Sequence, residues 1–123
     1  MSDFLPDEDK DIALDYIILN LLHKALDKDI DAIKKSKLKL KEQHSLMMES
    51  VQRLVEKDAK EVKRQMSKKG IKVFDMTPIN EDFVRYEYII RGYQSEFRFL
   101  KVALKMHTDK KLAHYYGTIQ RNQ

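Results

Sequence analysis

The sequence predicts an all-α fold, a helical bundle of three long helices plus a short C-terminal helix, with a short extended joint near residues 71–76. Three observations carry this expectation. Phe83, Tyr86, Ile90, Tyr93, Phe97, Leu100 and Leu104 follow one another at alternating steps of three and four, the seam of a helix packed on helices. Three Gly and two Pro are few for the many turns of an all-β chain. A charged fraction of 36% suits helices with exposed, charge-laced faces. At 123 residues the chain is expected to form one domain, 1–123, around a single core.

The first helix is expected from about Asp7 to Ile33. Ile12, Tyr16, Leu19, Leu22, Leu26, Ile30 and Ile33 recur at three and four, and Leu14, Ile17, Ile18 and Leu21 widen that face. Pro6 and the Asp cluster suit its N-terminus, Lys34 and Lys35 its C-terminus. A lysine-rich joint, Lys34–Lys41, follows, with Ser36 expected as N-cap of the next helix. The second helix runs to about Lys69, with Leu40, His44, Met47, Val51, Leu54, Val55, Val62 and Met66 facing inward. Gly70 suits the left-handed residue after a helix.

Ile71, Val73 and Phe74 make the extended joint, and Thr77-Pro78 reads as a cap followed by proline in the first helical position. The third helix then runs from Pro78 or Glu81 to Met106. Thr108-Asp109 opens the short last helix, with Leu112, Tyr115, Tyr116 and Ile119 on its inner side.

On this reading the third helix has two faces beyond its seam. Tyr88, Gly92, Phe99, Val102 and Met106 fall on a second apolar row, with Ser95, and form the candidate protein interface. The row could also be buried within the bundle, if the third helix sits centrally. Arg91, Arg98, Lys101 and Lys105 form a basic row, and Arg53, Lys57, Lys60 and Arg64 a second one on the preceding helix. Together these eight are candidate phosphate contacts for DNA or RNA. Glu49, Glu56 and Glu87 each precede one of these cations by four residues, the ordinary decoration of exposed helices.

Charge is segregated along the chain. Residues 1–33 hold three basic and nine acidic side chains, residues 34–72 thirteen and five, within a net charge of +4. This favours an anionic partner, or an acidic first helix lying beside a basic second one.

Most chemistries lack their residues. Without Cys there is no disulfide, thiolate metal site or Cys nucleophile. Glu-x-x-His does not occur, nor does Gly-x-Ser-x-Gly, and three isolated glycines make no phosphate loop. His23 with Asp27 and Asp31 shares a helix face, and His107 with His114 lies two turns apart if Thr108-Asp109 does not break the helix. Arg98 and His107 are separated by eight residues, too many for the short Arg-to-His spacing of helical ribonucleases. No metal, cofactor or enzymatic activity is expected. Asp3, Asp7, Glu8 and Asp9 stand where an export signal would be basic, and the apolar run Tyr16–Leu22 is too short for a span. The expected location is the cytoplasm, with no membrane contact.

The runs KSKLKLK (35–41), VEKDAKEVKRQM (55–66), GIKV (70–73) and RYEYIIRGYQSEF (85–97) resemble small proteins of Bacillus and its phages, the YhjD-like type, over roughly residues 30–116. The resemblance implies a helical bacterial or phage protein and brings no activity or site residues with it. The expected function is a non-enzymatic protein–protein interaction module, self-associating as a homodimer or larger homo-oligomer. The alternative is a basic accessory protein that binds nucleic acid.

Overall fold

The computed structural model describes residues 6–121, so both ends of the expected 1–123 domain lie outside the described residues. Helix α1 (Asp7–Lys34) and helix α2 (Lys41–Lys69) form an antiparallel hairpin. Their apolar stripes meet: Leu19, Leu22, Leu26 and Ile30 join Val51, Val55, Val62 and Met66 in the main core. Burying each such side chain stabilises the fold by about 1.5–3 kcal/mol relative to leaving it exposed. Leu40 and Met47, expected to face inward, are exposed. Ser36 does not cap α2. Its hydroxyl donates to the Ile33 carbonyl and accepts the Leu38 N–H, closing the end of α1 instead.

At the other end of α2, Gly70 takes φ 67°, and its N–H caps the carbonyls of Met66 and Ser67. The chain then enters a sheet. Strand β1 (Ile71–Val73), strand β2 (Thr77–Pro78), strand β3 (Phe83–Ile90) and strand β4 (Tyr93–Leu100) are followed by helix α3 (Lys101–Arg121). The all-α bundle is therefore overturned. Among the described residues the fold is mixed, with three helices and a four-stranded antiparallel sheet. Thr77-Pro78 is strand rather than helix cap, and α3 passes through Thr108-Asp109 unbroken.

The physical reason lies in residues 83–100. Val84, Tyr86, Tyr88 and Ile90 alternate strictly, and all four are buried. Phe83 and, on the paired segment, Leu100 are apolar on the opposite face, so a spurious three–four spacing coexists with the true period of two. The segment is rich in aromatic and β-branched residues, which favour strands. Between its halves, Arg91 (φ 46°) and Gly92 (φ 87°) both adopt positive φ, as a two-residue type I′ hairpin turn requires.

β3 is the central strand. β4 pairs along one side of it, β1 and β2 along the other. β1 and β2 act as one edge strand with a bulge. Phe74 donates to the Glu87 carbonyl at 2.9 Å, and the next paired residue, Thr77, lies opposite Arg85. Three steps on the edge therefore match two on β3, which leaves one extra residue at Asp75–Met76. The helices cover one sheet face: Ile17 and Ile18 of α1 and Leu104 of α3 pack against Val84 and Tyr86.

Candidate functional site

Among the described residues β4 pairs with β3 alone, so one of its edges is open along eight residues. Which backbone groups face that edge follows from the ladder. The carbonyl of Glu87 is taken by Phe74 on the β1 side of β3. Opposite residues of an antiparallel pair alternate between hydrogen-bonded and non-bonded, so the Glu87–Glu96 pair is a non-bonded one. The N–H and C=O of Glu96 therefore project to the open edge, and by the same alternation so do those of Gln94 and Arg98 and the N–H of Leu100, whose C=O instead accepts the first bond of α3. This is a free template for another strand.

The side chains of the same four residues lie on the sheet face away from the helices. There the β3–β4 register sets like charges opposite one another, Glu87 facing Glu96 and Arg85 facing Arg98. Such pairs weaken a ladder. Relief comes along each strand, where Arg98 Nε donates to Glu96 Oε2 at 2.8 Å and Arg85 lies 3.8 Å from Glu87. Arg85 Nε is buried without a hydrogen-bond partner. On the helix-covered face, Phe97 stacks 4.5 Å from the Tyr88 ring and 5.6 Å from that of Phe99.

The expected interface row does not exist as a helix face. Tyr88 is core on β3, 1% exposed; Gly92 is in the hairpin turn; Phe99 lies half-buried on β4, 6.0 Å from Tyr86. Val102 and Met106 alone share a helix, standing one turn apart on α3, 74% and 52% exposed. The row fails because strand and turn replace the helix it was drawn on.

The basic rows are also broken up. Arg91 turns inward to Asp9, Arg98 pairs with Glu96, Lys105 with Asp109 and Arg64 with Glu61. Arg53 donates to the Ser50 hydroxyl, and the Lys101 backbone N–H donates to the Asp82 carbonyl. Arg53, Lys57, Lys60 and Arg64 remain together on the exposed side of α2. Of the two charge readings, an acidic first helix beside a basic second one has its bridges in Lys69 with Glu8 and Asp9, whereas Lys34–Glu49 runs the other way, from a base of α1 to an acid of α2.

Asp9 was not singled out by the sequence. Its carboxylate is buried, accepts Arg91 Nη2 at 2.7 Å and lies 3.5 Å from Lys69 Nζ. Arg91 Nη1 also donates to the Lys69 carbonyl at the end of α2. One guanidinium thus ties the start of α1, the end of α2 and the β3–β4 turn. The hydrogen bond from Arg91 leads in holding the Asp9 carboxyl below its usual range, against the opposing effect of burial. Burial, then its hydrogen bond to Asp58, pushes the Tyr115 phenol up.

A cleft of about 790 Å³ sets Glu8, Asp11 and Asp15 of α1 against His107, Lys110, Lys111 and His114 of α3. Lys111 bridges it to Asp15 at 3.1 Å. Among the described residues no group of three or more His, Asp or Glu side chains could hold a metal ion, and no helix is long and apolar enough to cross a membrane.

The family model described as YhjD protein matches residues 4–120. The uncharacterized protein YhjD of Bacillus subtilis (strain 168) is 26% identical over 88 residues, 72% of this chain and 72% of that protein. No solved structure matches the chain.

Proposed function

The chain belongs to the YhjD family, and for it we propose a cytoplasmic, non-enzymatic interaction module that associates with a second copy of itself by pairing β4 with β4. The observation that carries this reading is the self-complementarity of the open edge. Gln94, Glu96 and Arg98, with the Leu100 N–H, present the free backbone groups, so these positions must pair with one another across a two-fold axis. Centring the axis on Glu96 or Arg98 sets identical charges face to face. Centring it on Phe97 sets each Glu96 opposite Arg98 of the second copy. The same register places Phe97 against its counterpart and Ser95 against Phe99, small against large. The like charges that β3 imposes on β4 then gain opposite charges on their other side.

The nucleic-acid reading retains support from the exposed α2 stripe of Arg53, Lys57, Lys60 and Arg64. Its rows on the sheet and α3 are largely occupied by carboxylates.

Glu96→Pro tests the edge. Proline there removes an N–H that points away from β3, so the β3–β4 ladder survives while the intermolecular one does not. Sedimentation equilibrium is expected to give twice the 14.7 kDa chain mass for the parent and the single-chain mass for the variant, with unchanged far-UV circular dichroism. A parent protein that stays at single-chain mass at every concentration overturns the reading.

A further inference from the structure

The α1–α2 hairpin outreaches the rest of the fold. Its helices of 28 and 29 residues are about 42 Å long at 1.5 Å per residue, whereas α3 with 21 residues is about 32 Å long and an eight-residue strand spans about 26 Å. At its tip, Lys34–Lys41 carries five lysines alternating with Leu38 and Leu40. Leu38, Leu40 and the nearby Leu46 are all more than half exposed, and Met47 is exposed beside them. Lys34 pairs with Glu49 and Lys35 with Asp31; among the described residues Lys37 and Lys39 have no carboxylate partner. The remaining side-chain hydrogen bonds of the tip are local, Ser36 holding the turn through Ile33 and Leu38 and Lys41 Nζ donating to the Ser36 carbonyl.

We infer that this tip docks on the surface of a bilayer carrying anionic headgroups, the lysines lying at headgroup level and Leu38 and Leu40 entering the acyl boundary. Charge selects this occupant over a second copy, because two such tips repel one another. The exposed leucines select it over nucleic acid, since phosphate contacts leave them in water. Lysine attraction and apolar insertion add, as in other peripheral contacts with one short apolar element, and no spanning segment is needed.

The parent chain has no Trp, so Leu40→Trp introduces one fluorophore at the tip. Mixed with vesicles of phosphatidylcholine and phosphatidylglycerol, this variant is expected to show blue-shifted emission; with phosphatidylcholine alone it should not. In co-sedimentation with the anionic vesicles, Lys37→Gln with Lys39→Gln is expected to weaken binding about 30-fold, roughly fivefold per lysine. Leu38→Gln, which keeps every charge, should weaken it about tenfold. Added salt lowers binding of the parent. No preference for anionic over neutral vesicles at low salt overturns the inference. So does retention on duplex DNA without vesicle binding, or vesicle binding that the Lys and Leu variants leave unchanged. All these positions are solvent-exposed, and the helical circular dichroism of each variant should match the parent.

Discussion

Tyr88→Ala is expected to lower the free energy of unfolding by about 3–5 kcal/mol, the range for truncating a large buried aromatic. Tyr88 is 1% exposed in the centre of β3, within the cluster that includes Leu22 and Val55, and its ring lies 4.5 Å from that of Phe97. Truncation would open a cavity between the sheet and both layers of side chains beneath it. Relaxation there is limited, because Val73 and Ser95 flank Tyr88 in fixed register on the two neighbouring strands. Urea denaturation provides the measurement. A loss below about 1 kcal/mol would place Tyr88 at a surface and would contradict its position in the centre of the sheet.

Arg91→Ala is expected to cost about 3 kcal/mol at neutral pH. Removing one partner of a buried pair costs about 3–5 kcal/mol, and the half-exposed guanidinium, with Lys69 still 3.5 Å from Asp9, puts this pair at the lower end. The loss also strips a hydrogen bond from the end of α2. Its pH dependence has a definite sign. In the parent, Asp9 titrates below its unfolded value near 3.9, so its stabilisation is complete above that pH and is lost as pH falls through the lower folded value. In the variant the main depressing interaction is gone and burial opposes ionisation, so acidification relieves the buried charge. The stability gap between parent and variant therefore narrows from pH 7 to pH 3. A gap that stays constant over this range would show that Asp9 and Arg91 are not coupled.

Helices were legible where one apolar face alternates with solvent. α1 matches its stripe and α2 does so from Val51 onward, while Leu40, His44 and Met47 at its start are exposed; the Gly70 stop has the backbone that glycine favours. The sheet was hidden by its own outer face. Phe83, Ile89 and Leu100 are apolar on the side without helices, and they fill the gaps that would have exposed a period of two. The correcting signal was Arg91-Gly92, two residues between eight-residue stretches rich in aromatic and β-branched side chains. On the helical reading Gly92 falls on the second apolar row instead.

The candidate edge is hidden by the same outer face. Glu96 and Arg98 are two residues apart, which on a helix puts them on different faces and on a strand puts them side by side. Their complementarity to a second copy appears only with the strand, and their free backbone groups only with the Phe74–Glu87 hydrogen bond. The Asp9–Arg91 tie joins residues 82 positions apart and has no local signature. The lysine–leucine alternation at 34–41 was visible from the start. Its exposure depends on how far the helical hairpin extends past the sheet.

The central claim, association through β4 centred on Phe97, is tested most directly by exchanging the two charges. Glu96→Arg and Arg98→Glu, made singly, each set like charges opposite one another across the axis. Made together they restore opposite charges in the same register. Sedimentation equilibrium is predicted to give single-chain mass for each single variant and twice that mass for the parent and the double variant. A double variant that remains at single-chain mass, or single variants that associate as the parent does, would contradict the pairing.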